Sequence, residues 1–178
     1  MKRILATLFA FAILFSASTV FAGQPFPDVS LIGKLSSDQK AYLGVSGDTV
    51  KVSDIKGDYL FIEAYSMYCP ICQRDAAEVN EVYEKITAID PQVRVKFIGL
   101  ALGNTAYEVK FYQKKYSVPF PLFVDEDYAV HKALGEVGTP SFYIVKLGPK
   151  PETLYMKEGE LKDKEALLKM IKATAGLK

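Results

Sequence analysis

The chain has 178 residues, of which 49% are hydrophobic and 24% are charged, as expected for a globular protein with one sizeable core. Its formal net charge is +1, so no basic excess indicates nucleic-acid binding. Two cysteines are too few for a disulfide scaffold.

The first 22 residues have the pattern of a secretory signal. Lys2 and Arg3 precede an apolar stretch, and the segment ends at Val20-Phe21-Ala22, with small residues at the cleavage positions. We predict cleavage after Ala22, which leaves 20 basic and 21 acidic residues in an exported chain. The alternative is an uncleaved anchor, because the apolar stretch is near the shortest length that spans a bilayer.

Residues 23–46 are predicted to form an extended N-terminal arm, with a short strand within Val29–Leu35. Residues 47–178 are predicted to form one folded domain. Periodicity and turn signals predict its elements in this order: a strand at Val50–Val52, a strand at Tyr59–Tyr65, a helix at Pro70–Ile89, a strand at Val93–Leu100, a helix at Thr105–Tyr116, a strand at Leu122–Val124, a helix at Tyr128–Leu134, strands at Ser141–Val145 and Thr153–Met156, and a helix capped by Asp163.

Both cysteines lie in Cys69-Pro70-Ile71-Cys72, between an apolar strand and a helical pattern. A Cys-x-x-Cys at a helix start is a redox signature, because free N–H groups and the helix dipole favour a thiolate on the first cysteine. Pro70 suits the first helical position. We interpret Cys69 as the exposed nucleophile and Cys72 as the resolving thiol, close enough to close a disulfide between them.

Other uses of the pair are a structural disulfide or a metal site. A loop this small removes little chain entropy, so a purely structural disulfide would contribute little. Zinc needs four ligands, and His131 is distant in sequence, while haem attachment would need a histidine where Gln73 stands. We therefore predict no metal and no cofactor.

The order of elements resembles the thioredoxin fold, an α/β fold with a central mixed sheet flanked by helices, here with an N-terminal extension and an inserted helix–strand unit. More narrowly, the chain from Gly47 onward resembles the TlpA/ResA group of thiol–disulfide oxidoreductases. The likeness rests on the Cys-x-x-Cys, on the inserted segment Tyr107–Ala133, and on Gly138-Thr139-Pro140 at the position of the family's cis-proline loop. Tyr68 replaces the tryptophan usual in the family, and Pro70-Ile71 differs from thioredoxin's Gly-Pro. Because the residues between the cysteines help to set the redox potential, the resemblance does not imply its value.

The resemblance also implies site residues. Glu63 falls where the fold holds a buried acid, whose raised pKa would let it exchange a proton with Cys72; the alternative is an acid that reaches solvent or a lysine. Pro140 would be cis, and the Thr139 backbone would pair with a substrate segment. Tyr68, Pro70 and Ile71 are predicted to contact substrate.

Tyr65, Met67 and Tyr68 are expected to rim this site, either as an apolar surface for a partner or as a cover for the disulfide. Arg74 is expected at the surface, and His131 is expected at the surface or half-buried. Asp125 to Asp127 are expected to cap a helix rather than to hold a metal.

The resulting functional hypothesis is an exported or periplasmic thiol–disulfide oxidoreductase that reduces protein disulfides, with apocytochrome c as one substrate class. A membrane thiol–disulfide donor would re-reduce it, since the periplasm is oxidising. We expect a monomer that does not bind nucleic acid. The alternatives are a disulfide-forming oxidase, a non-catalytic binding module and a peroxiredoxin-like peroxidase. The last is indicated by Ser66 three residues before Cys69-Pro70, although Ile62 stands where peroxiredoxins have proline.

Overall fold

A computed structural model describes residues 23–92 and 94–178 of the chain. The predicted signal sequence and Val93 lie outside these residues. The strands are β1 (Gln24–Pro25), β2 (Ser30–Ile32), β3 (Thr49–Lys51), β4 (Tyr59–Tyr65), β5 (Val95–Leu102), β6 (Leu122–Asp125), β7 (Ser141–Lys146) and β8 (Glu152–Glu158). The α-helices are α1 (Ser37–Leu43), α2 (Pro70–Ile89), α3 (Ala106–Lys115), α4 (Ala129–Ala133) and α5 (Lys164–Ala175), with a 3₁₀ turn at Val52–Asp54.

The strands form one mixed sheet in the order β1-β8-β7-β4-β5-β6-β2-β3. β4 lies in its centre, parallel to β5 and antiparallel to β7. Because β4 is covered on both faces, its residues form a nearly continuous apolar run, as the sequence predicted. The sheet and its helices form a thioredoxin-like fold, as expected from the element order.

A hydrophobic core lies on each face of the sheet. On one face, Phe61 and Tyr65 of β4 pack with the inward residues of α2, α3 and α5. On the other face, Leu60 and Ile62 pack with the N-terminal arm, α1 and α4. The alternation of β4 side chains therefore assigns every second residue to the α2 side, and Glu63 is one of them.

The prediction of a wholly extended N-terminal arm is wrong, because the arm contains α1. Ser36 Oγ accepts from Gln39 N at 3.2 Å, and Gln39 Oε1 accepts from Ser36 N at 3.0 Å, which is a capping box. Gly44 ends the helix with a φ of 67°. The helix was not predicted because it has only seven residues, buries chiefly Leu43, and lies in a segment rich in Pro, Ser and Gly.

The other predicted elements are present with shifted ends. β5 extends to Leu102 and β8 covers Glu152–Glu158, because pairing with neighbouring strands continues past the apolar residues that define a strand in sequence. Within residues 23–92 and 94–178, no helix is both long enough and apolar enough to cross a membrane.

Candidate active site at the Cys69-Cys72 motif

The chain turns from β4 into α2 at the two cysteines. Cys69 is the N-cap of α2, with extended backbone (φ −84°, ψ 112°), and Pro70 occupies the first helical position. Both cysteines are free thiols, Cys69 partly exposed and Cys72 buried. Cys72 N donates to Cys69 Sγ at 3.2 Å, so a backbone donor of the helix terminus already points at the first sulfur. A thiolate at this position would be stabilised by that donor and by the helix dipole.

The loop before β7 lies against the first sulfur. The Cys69 thiol donates to Thr139 O at 3.3 Å, and the Thr139-Pro140 peptide bond is cis, as predicted. Pro140 is buried and Thr139 is half-buried. Pro140 O accepts from Gly159 N at 2.8 Å, which fixes the loop to the end of β8. The structure thus brings Cys69, Thr139 and Pro140 together from distant parts of the sequence.

Glu63 is buried beside this unit, with 3% of its surface exposed. It lies in β4 between Gly99 of β5 and Phe142 of β7, on the face that packs against α2. Its Oε1 atom has no hydrogen-bond partner among the described residues. Burial, and secondarily the charge of Asp75, raise the pKa of Glu63 to about 8. The carboxyl can therefore exchange a proton near neutral pH.

Cys72 is the second buried titratable group of the site. Burial raises its pKa strongly, and the hydrogen bond with Cys69 and the charge of Glu63 add to the effect. The Cys72 thiol is therefore protonated near neutral pH, and it needs a base before it can act as a nucleophile.

Asp75 is a further buried acid that the sequence reading missed. It lies on α2, 3% exposed, and its Oδ2 accepts from Leu161 N at 2.7 Å. Its Oδ1 accepts from Arg74 Nε at 3.4 Å. Its burial could have been predicted from the sequence, because Asp75 shares the inward face of the helix with Cys72, Ala76 and Val79.

The loop between β4 and Cys69 is held by side chains that the sequence reading also missed. Asn104, fully buried, accepts from Met67 N at 2.8 Å. Gln73 Nε2 donates to Met67 O at 2.7 Å, and the Tyr112 hydroxyl donates to Cys72 O at 3.0 Å. No local pattern marks Asn104 or Tyr112, because each bonds backbone that is far away in the sequence, whereas Gln73 bonds backbone in the preceding loop.

The exposed residues around Cys69 are partly those predicted. Tyr68 is 66% exposed, and its hydroxyl donates to Glu108 Oε1 on α3. Pro70 is exposed and Ile71 is half-buried, so all three are accessible to a partner. Tyr65, expected at the rim, is instead fully buried. It shares the inward face of β4 with Glu63, and its ring lies over Gly99, which has no side chain to occupy that space.

Three further residues lie outside the thiol site. Arg74 is exposed and pairs with Glu160 at 2.7 Å. Asp125 caps α4 by accepting from Val130 N at 2.8 Å, which confirms its predicted role as a cap. His131 is half-buried and makes a 2.9 Å hydrogen bond with Val137 O.

The fold, with a Cys-x-x-Cys at the start of α2 and a proline loop beside it, places the protein in the class of thioredoxin-fold proteins. A family model described as AhpC/TSA matches residues 22–163. The chain therefore belongs to the AhpC/TSA family.

Individual relatives agree with this assignment. The thiol-disulfide oxidoreductase ResA of Bacillus cereus is 24% identical over 123 residues, which cover 64% of this chain and 69% of that one. The peroxiredoxin Bcp of Bacillus subtilis is 28% identical over 116 residues, 65% of this chain and 64% of that one. The matched stretches thus span about two thirds of either relative. The expected likeness to the ResA group is confirmed.

Among solved structures, a secreted Mycobacterium tuberculosis disulfide oxidoreductase homologous to Escherichia coli DsbE superposes with a TM-score of 0.61. The two chains are 16% identical, with 82% of this chain and 96% of that one covered. At this identity the likeness concerns the fold.

Proposed function

We propose that the protein is an exported thiol–disulfide oxidoreductase that reduces disulfides in other proteins. One arrangement carries the proposal: an accessible Cys69 thiol lies at the helix start, and a buried Cys72 thiol lies behind it near the buried Glu63 carboxyl. The Cys72 N–H lies 3.2 Å from the Cys69 sulfur. This arrangement supplies an attacking sulfur, a resolving sulfur and a base. The ResA relatives support the assignment.

The reaction begins when the Cys69 thiolate attacks a substrate disulfide. A mixed disulfide forms, and the first substrate sulfur leaves as a thiolate that takes a proton from solvent. Cys72 then loses its proton to the Glu63 carboxylate and attacks Cys69 Sγ. The second substrate thiolate leaves, and the products are a reduced substrate and a Cys69–Cys72 disulfide.

Substrate would bind across the loop beside Cys69. The Thr139 backbone would pair with an extended substrate segment as an added strand does. Tyr68, Pro70 and Ile71 would contact the same segment. The predicted signal sequence supports export, and a membrane thiol–disulfide donor would then re-reduce the pair. Apocytochrome c thiols are one substrate class for such a protein.

The proposal is tested with residues 23–178, which contain both hydrophobic cores. Insulin reduction in the presence of dithiothreitol should require Cys69, so Cys69→Ser should be inactive. Cys72→Ser should accumulate a mixed disulfide that mass spectrometry detects. A reduction potential of about −250 mV or lower supports a reductase, whereas about −120 mV would indicate an oxidase. The absence of any reversible two-electron couple would leave the pair without a redox role, as in a binding module.

A peroxidase is the second candidate, because of the likeness to the B. subtilis peroxiredoxin. The surroundings of Ser66 favour it less. Its hydroxyl accepts from Tyr68 N and from Asn104 Nδ2, both at 3.4 Å, rather than contacting Cys69 Sγ. Consumption of hydrogen peroxide by the Cys72→Ser variant, at a rate that exceeds its disulfide exchange, would favour the peroxidase.

A further inference from the structure

Two hydrogen bonds set how helix α3 lies beside the cysteines. The hydroxyl of Tyr68, the residue directly before Cys69, donates to Glu108 in the first turn of α3. One helical turn further, the Tyr112 hydroxyl donates to Cys72 O at 3.0 Å. The start of α3 therefore lies level with Cys69, and the helix runs along the side of α2 in the same direction.

The outward face of α3 carries aromatic and basic side chains. Tyr107 is 79% exposed and Phe111 is 46% exposed. The lysines between and after them are exposed as well. Residues three and four apart share one side of a helix, so these side chains form one continuous surface that is about 10 Å long. This surface, the α3 stripe, consists of Tyr107, Lys110, Phe111, Lys114 and Lys115.

The exposed aromatic residues of the α3 stripe call for a partner. Contiguous exposed apolar surface marks interaction sites, and Tyr and Phe are enriched in protein interfaces. Five large hydrophobic side chains are exposed among the described residues, and three of them, Tyr68, Tyr107 and Phe111, lie here. Tyr68 extends the aromatic surface to Cys69, so the α3 stripe is continuous with the thiol site.

The three lysines give the α3 stripe a positive charge. None of Lys110, Lys114 and Lys115 forms an ion pair with a carboxylate of a described residue. Lys115 Nζ lies 5.8 Å from the centroid of the Phe111 ring, within the range of a cation–π contact. The positive charge is therefore free to attract an external anion, and part of it lies directly over an aromatic ring.

The acids near the α3 stripe do not neutralise it. Glu108, the one acid of α3, accepts from Tyr68 and from Thr105 N. Glu126 and Asp127 border a groove at the start of α3. That groove lies toward β6, which β5 separates from β4. The side of α3 that faces Cys69 is therefore basic and aromatic.

We propose that the α3 stripe binds an acidic segment of the substrate protein, in which aspartate or glutamate stands beside an aromatic residue close to the substrate cysteine. The inference rests on the proposed thiol–disulfide exchange and names the class of substrate that it favours. The lysines attract the carboxylates, and Tyr107 and Phe111 contact the aromatic residue. An extended chain advances about 3.3 Å per residue, so about three residues beyond the cysteine span the stripe.

A lipid surface is another partner that lysines and aromatic residues fit. The position of the stripe favours a substrate segment. Because the stripe continues from Tyr68, a disulfide that Cys69 attacks brings its own flanking residues against α3. The contact forms no covalent bond and serves to hold the substrate sulfur at Cys69.

The test compares two short peptides in their reaction with reduced residues 23–178, the chain that the predicted cleavage leaves. Each peptide has one cysteine in a mixed disulfide with thionitrobenzoate, and the release of thionitrobenzoate is followed by stopped flow. The acidic peptide has aspartate and phenylalanine on both sides of the cysteine. The neutral peptide has asparagine in place of every aspartate. The thionitrobenzoate charge is common to both, so the ratio of the two rates reports the flanking residues.

Wild type should react about tenfold faster with the acidic peptide at low ionic strength, because the lysines attract the aspartates before the sulfur atoms meet. Added salt should reduce this ratio. Replacing Lys110, Lys114 and Lys115 with Gln should bring the ratio close to one. The control variant makes the same change in net charge at three exposed lysines near the opposite end of the sheet and should keep the wild-type ratio. These lysines are Lys56, Lys146 and Lys150.

A second variant tests the aromatic part of the stripe. Tyr107→Ser combined with Phe111→Ser changes two exposed side chains, so the fold should persist. Wild type should react several-fold faster with the acidic peptide than with the same peptide carrying serine in place of phenylalanine, and this variant should lose that advantage. Ile32→Ser, which removes an exposed apolar side chain from β2, should keep it.

Equal wild-type rates for the acidic and the neutral peptide would overturn the proposal, and so would a preference that persists without the three lysines. If the rates are equal and wild type, but not the lysine variant, sediments with phosphatidylglycerol vesicles, the stripe binds a lipid surface instead. A protein that exchanges with both peptides at one rate would leave the proposed function intact. A protein whose Cys69 releases no thionitrobenzoate from either peptide would contradict the proposed function, and the inference with it.

Discussion

Asn104 Oδ1 accepts a hydrogen bond from Met67 N at 2.8 Å, so the connection between β5 and α3 holds the loop that ends at Cys69. Asn104 is fully buried. The segment that follows β5 thereby holds the segment that follows its parallel neighbour β4, where the cysteines lie.

Replacing Asn104 with Ala should leave Met67 N without its partner. We expect a loss of about 1–3 kcal/mol in the free energy of unfolding, measured with denaturant, and faster alkylation of Cys72 in the folded protein, because the loop that covers it loosens. Asn80→Ala is the control, since Asn80 also bonds backbone, at Tyr116 O, but away from the loop. Equal alkylation of Cys72 in both variants would contradict a role for Asn104 in holding the loop.

Glu63→Gln should change how stability depends on pH. The folded pKa of Glu63 is about 8, above its unfolded value, so the buried acid favours folding below the unfolded pKa. That contribution should fall as the pH rises from about 4.5 to 8, by up to about 4 kcal/mol. Unfolding free energies measured across this range should therefore show wild type losing stability relative to the variant as the pH rises. A constant difference between them would show that the folded structure does not raise the pKa of Glu63.

Asp75→Asn should lower the pKa of Glu63, because the Asp75 charge is one of the two causes that raise it. An asparagine oxygen can still accept from Leu161 N, so the local structure should persist. Carbon-detected NMR of the Glu63 carboxyl would measure the shift. Glu160→Gln serves as the control, because it removes the other partner of Arg74 without facing Glu63. A Glu63 pKa that stays the same in Asp75→Asn would exclude the coupling.

Glu108→Gln should lower the pKa of the Tyr68 phenol. The hydrogen bond to the Glu108 carboxylate, and then its charge, raise that pKa, because both favour the protonated hydroxyl. Absorbance titration of tyrosine ionisation should show one group moving to lower pH relative to wild type. Glu126→Gln, which changes an exposed carboxylate elsewhere, should not move it. A difference spectrum without such a shift would mean that Tyr68 is not held by α3 in solution.

The central elements were predictable because their signals are local. The apolar run at β4, the helix that begins at Pro70 and the capping box at Thr105 each follow from neighbouring residues. The short helix α1 was missed although Ser36 and Gln39 form the same kind of capping box. Its seven residues bury too little apolar surface to produce a clear period.

The sequence by itself determined that two cysteines stand at the start of a helix after a buried strand, and that an acid interrupts that strand at Glu63. Only the tertiary structure decided that Tyr65 is internal, that Asp75 lies close enough to raise the pKa of Glu63, and that Asn104 holds the Cys69 loop. The reason is physical. Propensity and periodicity act between neighbours along the chain, whereas desolvation, Coulomb interaction and backbone hydrogen bonds depend on which segments the sheet places side by side.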